Sequence, residues 1–156
     1  MHVLRLINDM LKQPRLNHVP MTDLSALIKG GLHSIKKRSL VFIVSDFISK
    51  PGWERSLSLL AQRHEVIAIR LWDPRETTLP DVGHIVLEDA ETGEQMFVDT
   101  SDKKFRQRFM DAAQKREDAL AESFKRAGVD VLSLSTEADL IHAIASFVML
   151  RRQHRK

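Results

Sequence analysis

Nine residues, Arg38-Ser-Leu-Val-Phe-Ile-Val-Ser-Asp46, constrain the fold of this chain more than any other stretch. The run from Leu40 to Val44 is unbroken, apolar and rich in β-branched side chains, with Lys36-Lys37-Arg38 before it and Asp46 after it. A short run without alternation predicts a parallel strand over 39–45, buried on both faces and central in an α/β sheet. Its last residues then emerge at the carboxyl end of the sheet, where open α/β folds place ligands. Asp46 is therefore a candidate metal or substrate contact. The competing role for an Asp at a strand end is to cap the following turn.

The flanking pattern supports this fold class. A helix is predicted from His2 to about Lys12, with Val3, Leu4, Ile7, Met10 and Leu11 on one stripe, and Pro14 and Pro20 bound the loop that follows. A second helix starts at Thr22 or Asp23, turns Leu24, Leu27, Ile28 and Ile35 inward, and is weakened at Gly30-Gly31. After a loop through Pro51-Gly52 comes a helix from Trp53 to Gln62, then a buried strand from His64 to Leu71. That spacing suits a right-handed βαβ crossover, so the two strands are expected to be parallel neighbours. His84–Asp89 and Glu94–Asp99 flank Ala90-Glu-Thr-Gly93 and predict a hairpin inserted into the rhythm. Ser101 is read as the cap of a long helix carrying Phe105, Phe109, Ala112, Leu120 and Phe124, closed by Gly128. Val129–Leu134 is a third parallel strand. Thr136 is read as the cap of a last helix that buries Leu140, Ile141, Ile144 and Val148.

Size and composition bound what such a domain does. At 156 residues the chain suits a single α/β domain over 1–156. It has no Cys, which removes disulfides, thiolate metal sites and a Cys nucleophile and fits a reducing, cytoplasmic setting. No apolar run approaches the roughly 20 residues of a membrane span, and the first residues do not resemble a secretory signal. Between Leu71 and Thr100 eight acids stand against the single Arg75, whereas the tail Arg151-Arg-Gln-His-Arg-Lys156 is basic. No aromatic or Gly-rich reader accompanies the tail, so a solvated helix end is favoured over a nucleic-acid site.

Catalytic readings lack parts. A phosphorylated strand-end Asp of the haloacid-dehalogenase kind needs a second Asp two residues on, and position 48 is Ile. The His residues are scattered and no nucleophile–base set assembles. Arg70, Asp73, Arg75 and Glu76 are expected to form a polar cluster of surface ion pairs after the second strand. The chain is therefore expected not to be an enzyme. The alternatives are a metal- or phosphate-dependent enzyme using Asp46, or a basic-tailed nucleic-acid binder.

The layout leaves one strand short of neighbours. Strand 39–45 has the second strand on one side, and its other side is bare or covered by the N-terminal helices. A bare flat edge invites pairing. Either further strands lie upstream or two copies associate.

Several segments in order resemble a known family. Ser39-Leu-Val-Phe-Ile-Val-Ser-Asp-Phe47, Arg63-His-Glu-Val-Ile-Ala-Ile-Arg70, Asp73-Pro-Arg-Glu76, Leu79-Pro80, Glu91-Thr-Gly-Glu94 and Val98-Asp-Thr100 are similar to the bacterial domain of unknown function 58 family. Its members resemble von Willebrand factor A (vWA) domains. The resemblance implies a Rossmann-like, vWA-type open sheet, truncated on its N-terminal side. The earlier strand ending in Asp-x-Ser-x-Ser does not occur in these residues. The resemblance also implies a metal-ion-dependent adhesion site holding Mg²⁺ or Mn²⁺, with Thr22 of Met21-Thr-Asp-Leu24 and Asp46 as its ligands here. Thr22 has a competing role as a helix N-cap. Two oxygen suppliers are too few for tight binding, so the ion is expected to bind weakly in this chain alone. The family resemblance further implies a non-enzymatic protein-interaction module whose partner is a MoxR-type AAA+ ATPase.

Overall fold

The computed structural model describes residues 4, 5, 8, 11, 12, 22–88 and 93–154. Among these, the elements run α1 (Leu24–Ser34), β1 (Leu40–Ser45), α2 (Trp53–Arg63), β2 (Glu65–Trp72), a 3₁₀ turn (Pro74–Glu76), β3 (His84–Glu88), β4 (Gln95–Asp99), α3 (Lys103–Ala127), β5 (Asp130–Ser135) and α4 (Leu140–His154). Strands β1, β2 and β5 form a parallel sheet in the order β1-β2-β5, and β3 pairs antiparallel with β4 in a separate hairpin. This is a mixed α/β fold with a mostly parallel sheet, compatible with a Rossmann-like architecture.

Alternation along the strands sorts their side chains onto two faces. Val41 pairs with Val66 and Ile43 with Ala68 on one face; Phe42 pairs with Ile67 and Val44 with Ile69 on the other. The first face is closed. Leu24 and Ile28 of α1, Trp53, Leu57 and Leu60 of α2, and Phe124 and Ala127 of α3 join Ile43, Val66 and Ala68 in the core. At its carboxyl end the rings of Phe47, Trp53 and Phe124 pack with centroids 4.8–5.8 Å apart. The Phe47–Phe124 pair is edge to face, the arrangement that ring quadrupoles favour.

Local chemistry fixes the helix ends. The N-cap of α2 is Gly52 at φ +105°, a backbone state that a side chain would strain. Its N–H donates to Oε2 of Glu54 in the first turn. Gly128, at φ +66°, ends α3 and lets the chain reverse into β5. Thr100, fully buried, closes the open end of the hairpin. Its hydroxyl donates to the Gly83 carbonyl at 2.7 Å and accepts from the Val82 N–H at 3.1 Å.

Several sequence expectations change. Among the described residues β1 is an edge strand and β2 is central. Leu40, Phe42 and Val44 are 49%, 56% and 57% exposed, so β1 is buried on one face only. Hydrophobic sequence shows that a strand has apolar surroundings available, not that helices cover both of its faces. In α1, Leu27 is exposed while Leu24 and Ile28 are buried, and the helix continues through Gly30-Gly31. Its cap is Asp23, whose Oδ1 accepts from the Ala26 N–H at 3.1 Å, not Thr22. Asp102 rather than Ser101 caps α3, accepting from the Lys104 N–H at 2.8 Å; in that helix Ala113 is buried and Ala112 exposed. The hydroxyl of Thr136 donates to Asp73 instead of capping α4, and Asp139 accepts from the His142 N–H there. Leu140, Ile141, Ile144 and Val148 of α4 are exposed rather than buried. Leu4, Arg5, Asn8 and Leu11 are helical. The rest of the 2–12 helix, its loop with Pro14 and Pro20, and hairpin residues 89–92 lie outside the described residues.

Candidate functional site

The carboxyl end of the sheet brings two candidate loops together. Beyond β1 the chain turns through Asp46, Phe47, Ile48, Ser49 and Lys50. Oδ1 of Asp46 accepts from the Ile48 N–H at 3.0 Å, the Ser45 hydroxyl accepts from the Phe47 N–H at 3.0 Å, and Asp46 itself is exposed. Phe47 stands between them at φ +59°, which is strained for a bulky L-residue. Burial of its ring against Trp53 and Phe124 offsets that cost. The loop is pinned to the segment before α1 from both sides. Lys50 N–H and the Ser49 hydroxyl donate to the Thr22 carbonyl, at 3.1 and 2.8 Å, while Ser49 Oγ accepts from the Leu24 N–H at 3.0 Å. Thr22 and Asp46 thus lie in adjoining, mutually bonded loops.

As a metal site the donor set is sparse. It offers one hydroxyl and one carboxylate, and one of that carboxylate's oxygens already closes a turn. Mg²⁺ gives up its waters reluctantly, so on these donors most of its shell would stay water. Among the described residues no group of three or more His, Asp or Glu gathers closely enough to hold a metal ion.

The polar cluster after β2 divides into two sets. Asp73 caps the 3₁₀ turn, accepting from the Arg75 N–H at 2.9 Å and from the Thr136 hydroxyl at 2.8 Å. The Arg75 backbone bond first, and the Thr136 hydroxyl second, hold its carboxyl below the usual 3.8. Arg70 points elsewhere. Its guanidinium pairs with Glu117 of α3 and lies 6.0 Å from the centroid of Trp72. Forty-seven residues separate Arg70 from Glu117, so no local pattern announces the pair.

The second face of the sheet opens beside β1. Leu40, Phe42 and Val44, with Ile67, Ile69 and Leu71, line one side of an apolar groove of about 560 Å³. Leu140, Ile144, Phe147 and Val148 of α4 line the other. Toward β5 the face is covered, since Ile67, Leu132 and Leu134 are buried. Toward β1, among the described residues, it is not. At the far end of α4, Arg151 pairs with Glu65 at 2.7 Å and Asp130 at 2.6 Å, so one cation of the basic tail is engaged within the fold.

A model of a protein family of unknown function, DUF58, matches residues 1–119. This chain belongs to the DUF58 family. The matched stretch contains Thr22, Asp46, β1, β2 and the hairpin, and stops before β5 and α4. The DUF58 chain is 36% identical over 148 residues to the uncharacterized protein MAV169 of Mycobacterium avium, covering 95% of this chain and 87% of that one. It is 37% identical over 133 residues to the uncharacterized proteins Mb1516 of Mycobacterium bovis and Rv1480 of Mycobacterium tuberculosis. Those matches cover 84% of this chain and 41% of each relative, so it spans less than half of their length. No solved structure matches it. Among the described residues of this DUF58 chain, no helix is long and apolar enough to cross a membrane.

Proposed function

We propose that this chain is a non-enzymatic protein-interaction module, built as part of a vWA-like domain, with a MoxR-type AAA+ ATPase as partner. The observation that carries the reading is the open apolar face of β1. Three consecutive outward residues of one strand, each about half exposed, continue into a groove lined by aliphatic and phenyl side chains together with Arg151 and Arg152. Contiguous apolar surface of this kind marks interaction sites in folded proteins, whereas single exposed apolar residues do not. The adjacent rim of Asp46 and Thr22 supplies a carboxylate and hydroxyl at the same end of the strand. The vWA-like form and the ATPase come from the family resemblance. In this reading any adhesion-type metal site is incomplete here, and Mg²⁺ or Mn²⁺ binds weakly.

The test is direct binding. A MoxR-type ATPase is expected to bind the immobilised chain, and Phe42→Lys is expected to abolish that binding. Calorimetric titration with Mg²⁺ and Mn²⁺ is expected to give at most millimolar affinity, because most of the ion's shell stays water. Turnover of a phosphorylated substrate that vanishes with Asp46→Ala would overturn the reading in favour of an enzyme.

A further inference from the structure

On the closed face a cavity of about 350 Å³ lies between the second half of α3 and strand β5. Arg70 and Ser133, cross-strand partners in the β2–β5 register, line it from the sheet. Glu117 and Lys125 line it from the helix, and Leu120, Phe124 and Val131 make much of the remaining wall apolar. Strand β2 separates β5 from β1, so strands added beside β1 do not reach this cavity. Arg70 is only 6% exposed, yet Glu117, itself partly exposed, takes just the Nη2 of its guanidinium. Its Nε is closed off from solvent and has no acceptor among the described residues. A planar fork that commonly holds a carboxylate by two bonds is thus held by one. Burying such donors unpaired costs free energy, and an acceptor entering the cavity offsets it.

We propose that this cavity binds a small monocarboxylic acid with a short branched hydrocarbon body. The carboxylate takes the Arg70 guanidinium and the Ser133 hydroxyl, and the hydrocarbon packs on Leu120, Phe124 and Val131. Charge selects the class. Arg70 and Lys125 against Glu117 leave a single net positive charge, which one carboxylate neutralises. A phosphate dianion would exceed it beside Glu117, and the apolar wall would leave its remaining oxygens without donors. The site depends neither on the β1 face nor on the ATPase.

Tryptophan fluorescence reads the site, since Trp72 lies 6.0 Å from the Arg70 guanidinium and Trp53 packs on Phe124. Titrating the chain with isovalerate is expected to give a saturable change. Isovaleramide, nearly the same shape without the charge, is expected to bind at least about tenfold more weakly. Acetate is expected to fall behind by a similar margin, because each buried methylene is worth about fourfold. Inorganic phosphate is expected to bind at least about tenfold more weakly than isovalerate. Glu117→Gln removes the competing carboxylate and is expected to tighten isovalerate binding by about tenfold. Arg70→Met with Glu117→Leu is expected to abolish binding while urea unfolding stays cooperative. Lys125→Glu, at an exposed position, reverses the charge at the mouth and is expected to weaken binding by about fivefold whether or not the paired variant folds. N-acetyl-alanyl-leucine carries the same carboxylate on a peptide end. Tighter binding than isovalerate assigns the site to a chain terminus, weaker binding to a free acid, and either keeps the carboxylate. Absence of a saturable response to isovalerate overturns the proposal. Equal affinity for isovaleramide, or an affinity unchanged by Lys125→Glu and by Glu117→Gln, overturns it as well.

Discussion

The two faces of the parallel sheet are made from alternate residues of the same strands, yet they meet opposite surroundings. Val41, Ile43, Val66 and Ala68 pack beneath α1, α2 and α3, in a core sealed by the rings of Phe47, Trp53 and Phe124. Leu40, Phe42 and Val44, one residue out of phase and equally apolar, stand half exposed. Side-chain chemistry does not separate the two sets. The supply of covering elements does: three helices serve one face, and α4 covers only the β5 side of the other. Strand hydrophobicity thus measures what a sheet can bury, and the helices decide what it does bury.

The largest expected effect tests that contrast directly. Leu57 is fully buried under the closed face, and Leu57→Ala removes side-chain contacts from a core with little room to collapse. A loss of about 3–4 kcal/mol is expected in urea unfolding. Phe42→Ala deletes a larger side chain from the open face, but in dilute solution it is expected to cost under about 1 kcal/mol, because exposed surface gains little by folding. Equal losses would show that the two faces are not different in kind.

Much of this fold was legible in the sequence, for reasons that vary by element. The strands and their parallel pairing followed from apolar runs separated by one amphipathic helix, and Gly128 and the hairpin from turn chemistry. What local pattern could not supply was the lateral order of the sheet. Leu40–Val44 has the composition of a central strand, and only the shortage of partner strands hinted that it lies at the edge. The cap expected at Ser101 falls one residue on, at Asp102, and of Thr22 and Asp23 it is Asp23 that caps α1; in both places a hydroxyl and a carboxylate stand side by side and the carboxylate wins. Thr136 reads locally as a cap, but its acceptor, Asp73, lies 63 residues away. Of the candidate site, strand direction puts Asp46 at the carboxyl end of the sheet, while Thr22 beside it is implied only by the family resemblance. The turn bond from Ile48 and the strained Phe47 next to Asp46 were not legible, since neither leaves a compositional trace.

A middle-sized effect probes what joins the closed face to its polar border. Arg70 extends from the central strand and is buried, with Glu117 of α3 as its charged partner. Glu117→Ala leaves that guanidinium buried without a counter-charge. Breaking a fully buried pair costs several kcal/mol; because Glu117 is partly exposed, about 2 kcal/mol is expected here. Replacing both residues, as Arg70→Met with Glu117→Leu, is expected to recover most of it. If the double replacement costs as much as the single one, the pair anchors α3 by geometry and not by charge balance.

The smallest effect is expected where the open and closed faces meet, at the end of β2. Asp73 receives the Arg75 N–H and the Thr136 hydroxyl, and these hold its folded-state carboxyl below the unfolded value. A depressed carboxylate favours the folded state when ionised. Its contribution is therefore complete above the unfolded pKa and is lost as pH falls through the lower, folded one. Asp73→Asn keeps an oxygen for the Arg75 N–H but cannot ionise. The melting temperatures of the two proteins are thus expected to differ by a constant amount above about pH 5, and to converge as pH drops below about 4. Asp99, held low by the Ser101 hydroxyl and N–H, titrates in the same direction in both proteins and cancels in the comparison. A gap that widens on acidification would mean that Asp73 is raised, not lowered, and that the Thr136 contact between the end of β2 and the turn after β5 does not stabilise its charge.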